Sequence, residues 1–172
     1  MWRHNGSPRP QKFGVQKSFG KVLTSTFWDH DGILLIDYLQ KGQTINAEYY
    51  SSLLVQWKDI LNGKRRGKVT KGVLFLHDNA PAHWALATQK KLAYLRFHCL
   101  DHPPYSPDLT PSDYHLFAGQ KKKNRHFSSD AEVVAAAETW LGGQLSELFL
   151  SGLKKLEQRA KNCIELRGEY VE

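Results

Sequence analysis

The chain has 172 residues, 24 Lys and Arg against 17 Asp and Glu, and a net charge of +7. That length suits one domain, or one domain with a short arm, and 41% hydrophobic with 12% aromatic residues excludes a disordered chain. Two cysteines without a CxxC exclude a disulfide scaffold or cysteine-rich zinc module, no apolar run reaches the ~18–20 residues of a membrane span, and no apolar stretch follows the basic start to make a signal peptide.

In chain order, residues 1–20 read as an irregular basic arm rich in proline and glycine. Residues 21–39 read as a β-hairpin, with two β-rich runs flanking Asp29-His30-Asp31-Gly32. Thr44 or Asn46 is placed to cap a helix whose apolar positions, Tyr49/Tyr50, Leu53/Leu54, Trp57 and Ile60/Leu61, recur at helical spacing until Asn62-Gly63 breaks it. Residues 63–72 form a basic loop. The run from Gly72 to His77, apolar on both faces, predicts a buried parallel strand. A helix over roughly 83–95 and a short strand from Arg96 to Leu100 follow. Residues 101–111 hold four of the seven prolines, so no regular element crosses them. Pro111–Phe117 reads as a helix start, Lys121–Arg125 as a second basic run, and 130–141 and 146–165 as two closing helices around Gly142-Gly143. Hairpin, strands and helices in this mixture make an α/β chain.

The informative pair is Asp78 and Asp113. Asp78 sits where an apolar strand ends, the place where open α/β sheets bind ligands. Asp113 follows the proline-stiffened loop near a helix start. Two carboxylates brought together repel, and a divalent cation relieves that cost. Such a site activates a water or a 3′-hydroxyl against a phosphodiester. Each aspartate taken alone also suits a turn or a cap. The net positive charge favours a polyanionic partner, nucleic acid ahead of an acidic membrane surface.

The words around both aspartates are specific. LHDNAPAH (76–83) and HPPYSPDLTPSDYHLF (102–117) resemble the catalytic domain of mariner-family DNA transposases, as do residues 27–50 and the closing CIELRGEYVE (163–172). In that family the second catalytic Asp matches Asp78 and the third matches Asp113. The 34 residues between them are the spacing that marks the mariner group. The resemblance implies an RNase H-like fold, N-terminally truncated, with a mixed sheet flanked by helices; residues 1–20 would be a clamp-loop-like arm and 21–172 a partial catalytic domain. It implies Mg²⁺ or Mn²⁺ in a two-metal site, cleavage and joining of transposon-end DNA, a homodimer, no membrane partner and a nuclear location. The first catalytic Asp and the helix-turn-helix region lie upstream of the matched part, so the chain alone is expected to be inactive; the alternative is a non-enzymatic DNA-binding or dimerising remnant.

Among local acids, Asp37 is the best substitute for the first Asp, whereas Asp29 and Asp31 suit turn geometry and Asp108 a loop. His77 and His115 are expected to hydrogen-bond the aspartates or the backbone around them, and Asn79 to orient a phosphate or a metal-bound water, with a turn residue as its plain alternative. A zinc site built from His77, His83, His102 and His115 fits no compact motif. Expected DNA contacts are Arg3, Arg9 and Lys12 in the arm, Lys64, Arg65, Arg66 and Lys68 in the first basic run, and Lys121, Lys122, Lys123 and Arg125 in the second, with solvated loops as the plain alternative. Trp28, Trp57, Trp140, Tyr105 and Tyr114 are expected to pack. Trp84 stands where the family commonly has a small polar residue.

Overall fold

The computed structural model describes residues 22–65, 67, 72–103, 105–118 and 127–167. Strands β1 (Leu23–Asp29) and β2 (Gly32–Leu39) form the expected antiparallel hairpin. Its turn is fastened by the Asp31 amide donating to Asp29 Oδ1 at 2.9 Å, and Gly32 takes φ +143°, a conformation strained for other residues. Phe27 pairs with Leu35 but Trp28 with Ile33, so Leu34 is an extra residue bulged from β2. The hairpin buries both faces. Phe27, Leu34 and Leu35 pack into the larger core, while Trp28, Ile33 and Ile36 pack on Leu116, Leu141 and Phe149.

Of the two cap candidates, Asn46 is used: its Oδ1 accepts from the Tyr49 amide at 2.8 Å and opens α1 (Ala47–Lys64). Tyr50, Leu53, Leu54, Trp57 and Leu61 are buried, as the spacing predicts. The helix does not stop at Asn62-Gly63. It runs on to Lys64 because the Arg65 amide donates to Leu61 O at 2.7 Å and the Arg65 side chain is anchored on the hairpin turn.

β3 (Val73–Phe75) pairs in parallel with β4 (Phe97–Cys99). The strand is shorter than its apolar run, and only one face is covered: Phe75 is in the core while Leu74 is 72% exposed. The helix expected over 83–95 is two helices, α2 (Pro81–Trp84) and α3 (Leu86–Tyr94), because Ala85 has an extended backbone. After β4 the chain is irregular, with a 3-10 turn at Pro107–Leu109. Ser112–Leu116 then form a single π-helical turn. α4 (Asp130–Gly142) and α5 (Ser146–Glu165) close the fold, α4 capped by Ser129. Tyr105, expected to pack, is fully exposed on the proline-rich loop, at φ +55°.

Among the described residues the two ladders do not join, and the expected mixed sheet is present as one antiparallel and one parallel pair. The core nevertheless runs across the break. Phe27 and Phe75 stack with ring centroids 6.4 Å apart, and Trp57 of α1 lies 5.1 Å from one and 4.9 Å from the other. No helix among the described residues is long and apolar enough to cross a membrane.

Candidate active site

Beyond Phe75 the chain leaves the sheet as Leu76-His77-Asp78. His77 is buried, with Nδ1 3.1 Å from Tyr50 Oη and its ring stacked 4.9 Å from His83. Burial first, and then the neighbouring His83 and His102, pull its pKa down to about 4, so it is neutral at ordinary pH. Burial and the nearby Asp78 charge push the Tyr50 hydroxyl up, which keeps it a proton donor. Asp78 turns outward. Its Oδ1 meets His83 Nδ1 at 2.6 Å and accepts from the Ala80 amide at 3.0 Å. The His83 bond, ahead of the opposing effect of burial, holds the carboxyl below its ordinary range. Oδ2 has no hydrogen-bond partner among the described residues. Asn79 Oδ1 accepts from Trp84 Nε1 at 2.9 Å. His102 Nε2 donates to the His77 carbonyl at 2.8 Å, pinning the proline-rich loop to the strand end.

That loop leads to Asp113 at the start of the π turn. Asp113 is exposed, and its Oδ2 accepts from Thr110 Oγ1 at 2.7 Å, leaving Oδ1 unpaired among the described residues. The turn is gripped from two sides. Trp28 Nε1 of the hairpin donates to Ser112 Oγ at 3.0 Å. From α5, the Gly152 carbonyl accepts from Tyr114 Oη at 2.9 Å, and the Leu148 carbonyl from His115 Nε2 at 2.8 Å. Arg159 lies 4.1 Å over the Tyr114 ring and donates to the Asp108 carbonyl at 2.7 Å. A methyl group on Gly152 would come within 2.7 Å of His115 Cδ2, so the close approach of α5 requires glycine.

The structure thus gathers His77, His83 and His102 at Asp78 and places His115 against α5. Asp37 faces α1, where Tyr49 Oη donates to its carboxylate. Arg65 bridges Asp29 at 3.1 Å and Asp31 at 2.7 Å, so its fork is neutralised by the hairpin turn. Lys64 is exposed and has no ion pair among the described residues. Arg3, Arg9, Lys12, Arg66, Lys68, Lys121, Lys122, Lys123 and Arg125 lie outside the described residues. Among the described residues, Asp29, His30 and Asp31 form the group of three with metal-ligand proximity, but the Arg65 guanidinium already sits in it and opposes a cation. Ser151, whose Oγ lies 3.1 Å from His115 Nε2, Gly152 and Arg159 carry no sequence signal as site residues beyond a glycine inside a helical pattern.

Asp78 and Asp113 share one design. Each uses one oxygen to fasten its own loop and presents the other. Exposed, hard carboxylate oxygens in small number are the donors that Mg²⁺ and Mn²⁺ take, so the residues fit such an ion.

Known proteins share this chain's sequence and fold. A family model described as Transposase (partial DDE domain) matches residues 1–71. The Mariner Mos1 transposase of Drosophila mauritiana is 36% identical over 168 residues, covering 95% of this chain and 47% of that protein. The Histone-lysine N-methyltransferase SETMAR of Homo sapiens is 30% identical over 155 residues, 88% of this chain and 23% of that protein. The chain therefore spans about half, or less, of the curated relatives it matches. The crystal structure of the catalytic domain of Mos1 mariner transposase superposes with a TM-score of 0.81 at 35% identity, over 88% of this chain and 76% of that one. The catalytic domain solved with Raltegravir and Mn gives 0.80 at 35% identity, over 88% and 78%. The Mos1 mariner paired end complex with Mn gives 0.81 at 34%, over 100% and 51%.

Proposed function

This chain belongs to the mariner transposase family and has its RNase H-like catalytic fold, and from that premise we propose that Asp78 and Asp113 hold Mg²⁺ or Mn²⁺ against the phosphodiester of transposon-end DNA. The observation that carries the reading is the matched design of the two carboxylates. Each is fastened by its own loop, Asp78 beyond β3 and Asp113 at the start of the π turn, and keeps one oxygen unpaired among the described residues.

The roles of the chain's own groups follow. His83 and the Ala80 amide keep Asp78 ionised and fix its direction. Neutral His77 stacks on His83 and holds it in place without adding charge. Trp28 and α5 set the position of the Asp113 turn. A divalent cation held there supplies Lewis-acid stabilisation of charge developing on the phosphodiester. Lys64, with the other basic residues of the segments 64–68 and 121–125, draws in the phosphate backbone. A further strand bearing the first catalytic Asp of the family site belongs between the β1–β2 and β3–β4 ladders. A DNA substrate makes the nucleus its place of action, as a homodimer.

The test is a cleavage assay on transposon-end duplex. A longer protein that includes an upstream acidic strand is expected to cut only with Mg²⁺ or Mn²⁺, and Asp78→Ala or Asp113→Ala abolishes cutting. Unchanged metal-dependent cutting in Asp78→Ala would overturn the reading.

A further inference from the structure

The indole nitrogen of Trp84 is a donor only. Its 2.9 Å partner on Asn79 is therefore the amide oxygen, and chemistry fixes the orientation of that amide. Oδ1 is occupied, and the two Nδ2 protons are turned away from the indole. No acceptor takes them among the described residues. Asn79 directly follows Asp78, and the loop between Asp78 and Trp84 is stiff, with Ala80 and His83 both bonded to Asp78. Trp84 itself is 44% exposed at the rim of this loop, its ring 5.8 Å from that of His77. An amide donor pair and an exposed aromatic face thus stand side by side next to an ionised carboxylate.

We propose that Asn79 and Trp84 form a nucleotide subsite beside Asp78. Asn79 Nδ2 donates to a DNA phosphate oxygen, and the exposed indole face stacks on an adjacent base. Trp84 is also a positioning residue, since its N–H holds the amide with its donors outward. The proposal rests on the reading of Asp78 and Asp113 as a phosphodiester site and adds the group that seats the substrate there. Because the amide oxygen is taken, Asn79 is not a metal ligand, and its contribution to DNA binding persists without a divalent cation. Stacking on a base face is tolerant of sequence, so the subsite supplies affinity rather than base readout.

The test uses the chain itself and a fluorescent DNA duplex with a single-stranded 3′ overhang, titrated in the presence of EDTA. Asn79→Ala is expected to weaken binding about tenfold, the size of a hydrogen bond to a charged group. Trp84→Phe keeps a ring but loses the N–H, and is expected to weaken binding several-fold. The double variant is expected to bind as weakly as Asn79→Ala with no further loss, because both changes act through one bond. Trp84→Ala removes the stack as well and is expected to cost about tenfold or more. Mn²⁺ affinity stays at the wild-type value in Asn79→Ala, and melting curves of all variants match wild type. Trp84 variants that bind like wild type would overturn the subsite while leaving the Asp78–Asp113 reading standing. Loss of Mn²⁺ binding in Asn79→Ala would overturn its assignment as a phosphate donor. A wild-type chain with no affinity for DNA would overturn both readings.

Discussion

Gly152→Ala tests whether α5 grips the Asp113 turn as described. The added methyl would lie 2.7 Å from His115 Cδ2 and 3.2 Å from Cγ, well inside contact distance. Overpacking of this kind costs about 1–3 kcal/mol. If the ring swings away it also loses its 2.8 Å bond to the Leu148 carbonyl, about 1 kcal/mol. Against this, Gly→Ala in a helix gains about 1 kcal/mol. The net expectation is a loss of about 1–3 kcal/mol. Gly63 in the last turn of α1 is the control, since nothing lies within 4 Å of an added methyl there. Gly63→Ala is expected to gain about 0.5–1 kcal/mol. Urea denaturation followed by circular dichroism reads both, and each kcal/mol corresponds to roughly 2–4 °C in Tm for a chain of this size. If Gly152→Ala is as stabilising as Gly63→Ala, the close contact between α5 and the π turn does not exist.

Further expectations concern charge and the second grip on the Asp113 turn. The pKa of His77 in the fold, about 4, lies below its ordinary 6.5, so the unfolded chain binds more protons between these values. Stability is therefore full above about pH 6.5 and falls by up to about 3 kcal/mol as the pH drops towards 4, and urea titrations of His77→Phe are expected to lose that slope. Burial raises the Asp29 pKa, but the Arg65 bond and the Asp31 amide outweigh it and hold the carboxyl below 3.8. Arg65→Ala is then expected to cost about 1–2 kcal/mol at neutral pH, a difference present above the ordinary Asp pKa and lost as pH falls through the folded value. Trp28→Phe keeps the ring against Phe149 but loses the bond to Ser112; calorimetry is expected to show about 1 kcal/mol lost and a weaker Mn²⁺ affinity.

The hairpin, the α1 face and the parallel β3–β4 pair were legible because each rests on local signals: turn residues around Asp29–Gly32, a cap at Asn46, and an apolar period through Trp57. The proposal for Asp78 and Asp113 starts from the specific words around them, LHDNAPAH and SPDLTPSDYHLF. What escaped were features that depend on distant partners. The helix runs past Gly63 because Arg65 finds Asp29 and Asp31 across 36 and 34 residues of sequence, which no window along the chain contains. Leu74 reads as core but faces outward because only one face of the short β3–β4 pair is covered. Ser112–Leu116 reads as a helix start, yet becomes a π turn under bonds from Trp28 and α5. The α5 residues that position Asp113 carry no chemical signature; their role is visible only once the helix is seen against the turn.

The most direct test of the central claim is Mn²⁺ binding to this chain with transposon-end DNA present, followed by electron paramagnetic resonance of the free ion. Asp78 and Asp113 each present one oxygen unpaired among the described residues, so wild type is expected to take up Mn²⁺, while Asp78→Asn and Asp113→Asn each lose that uptake and still melt cooperatively. Equal Mn²⁺ uptake by wild type and both variants would contradict the assignment of these two carboxylates as the metal site.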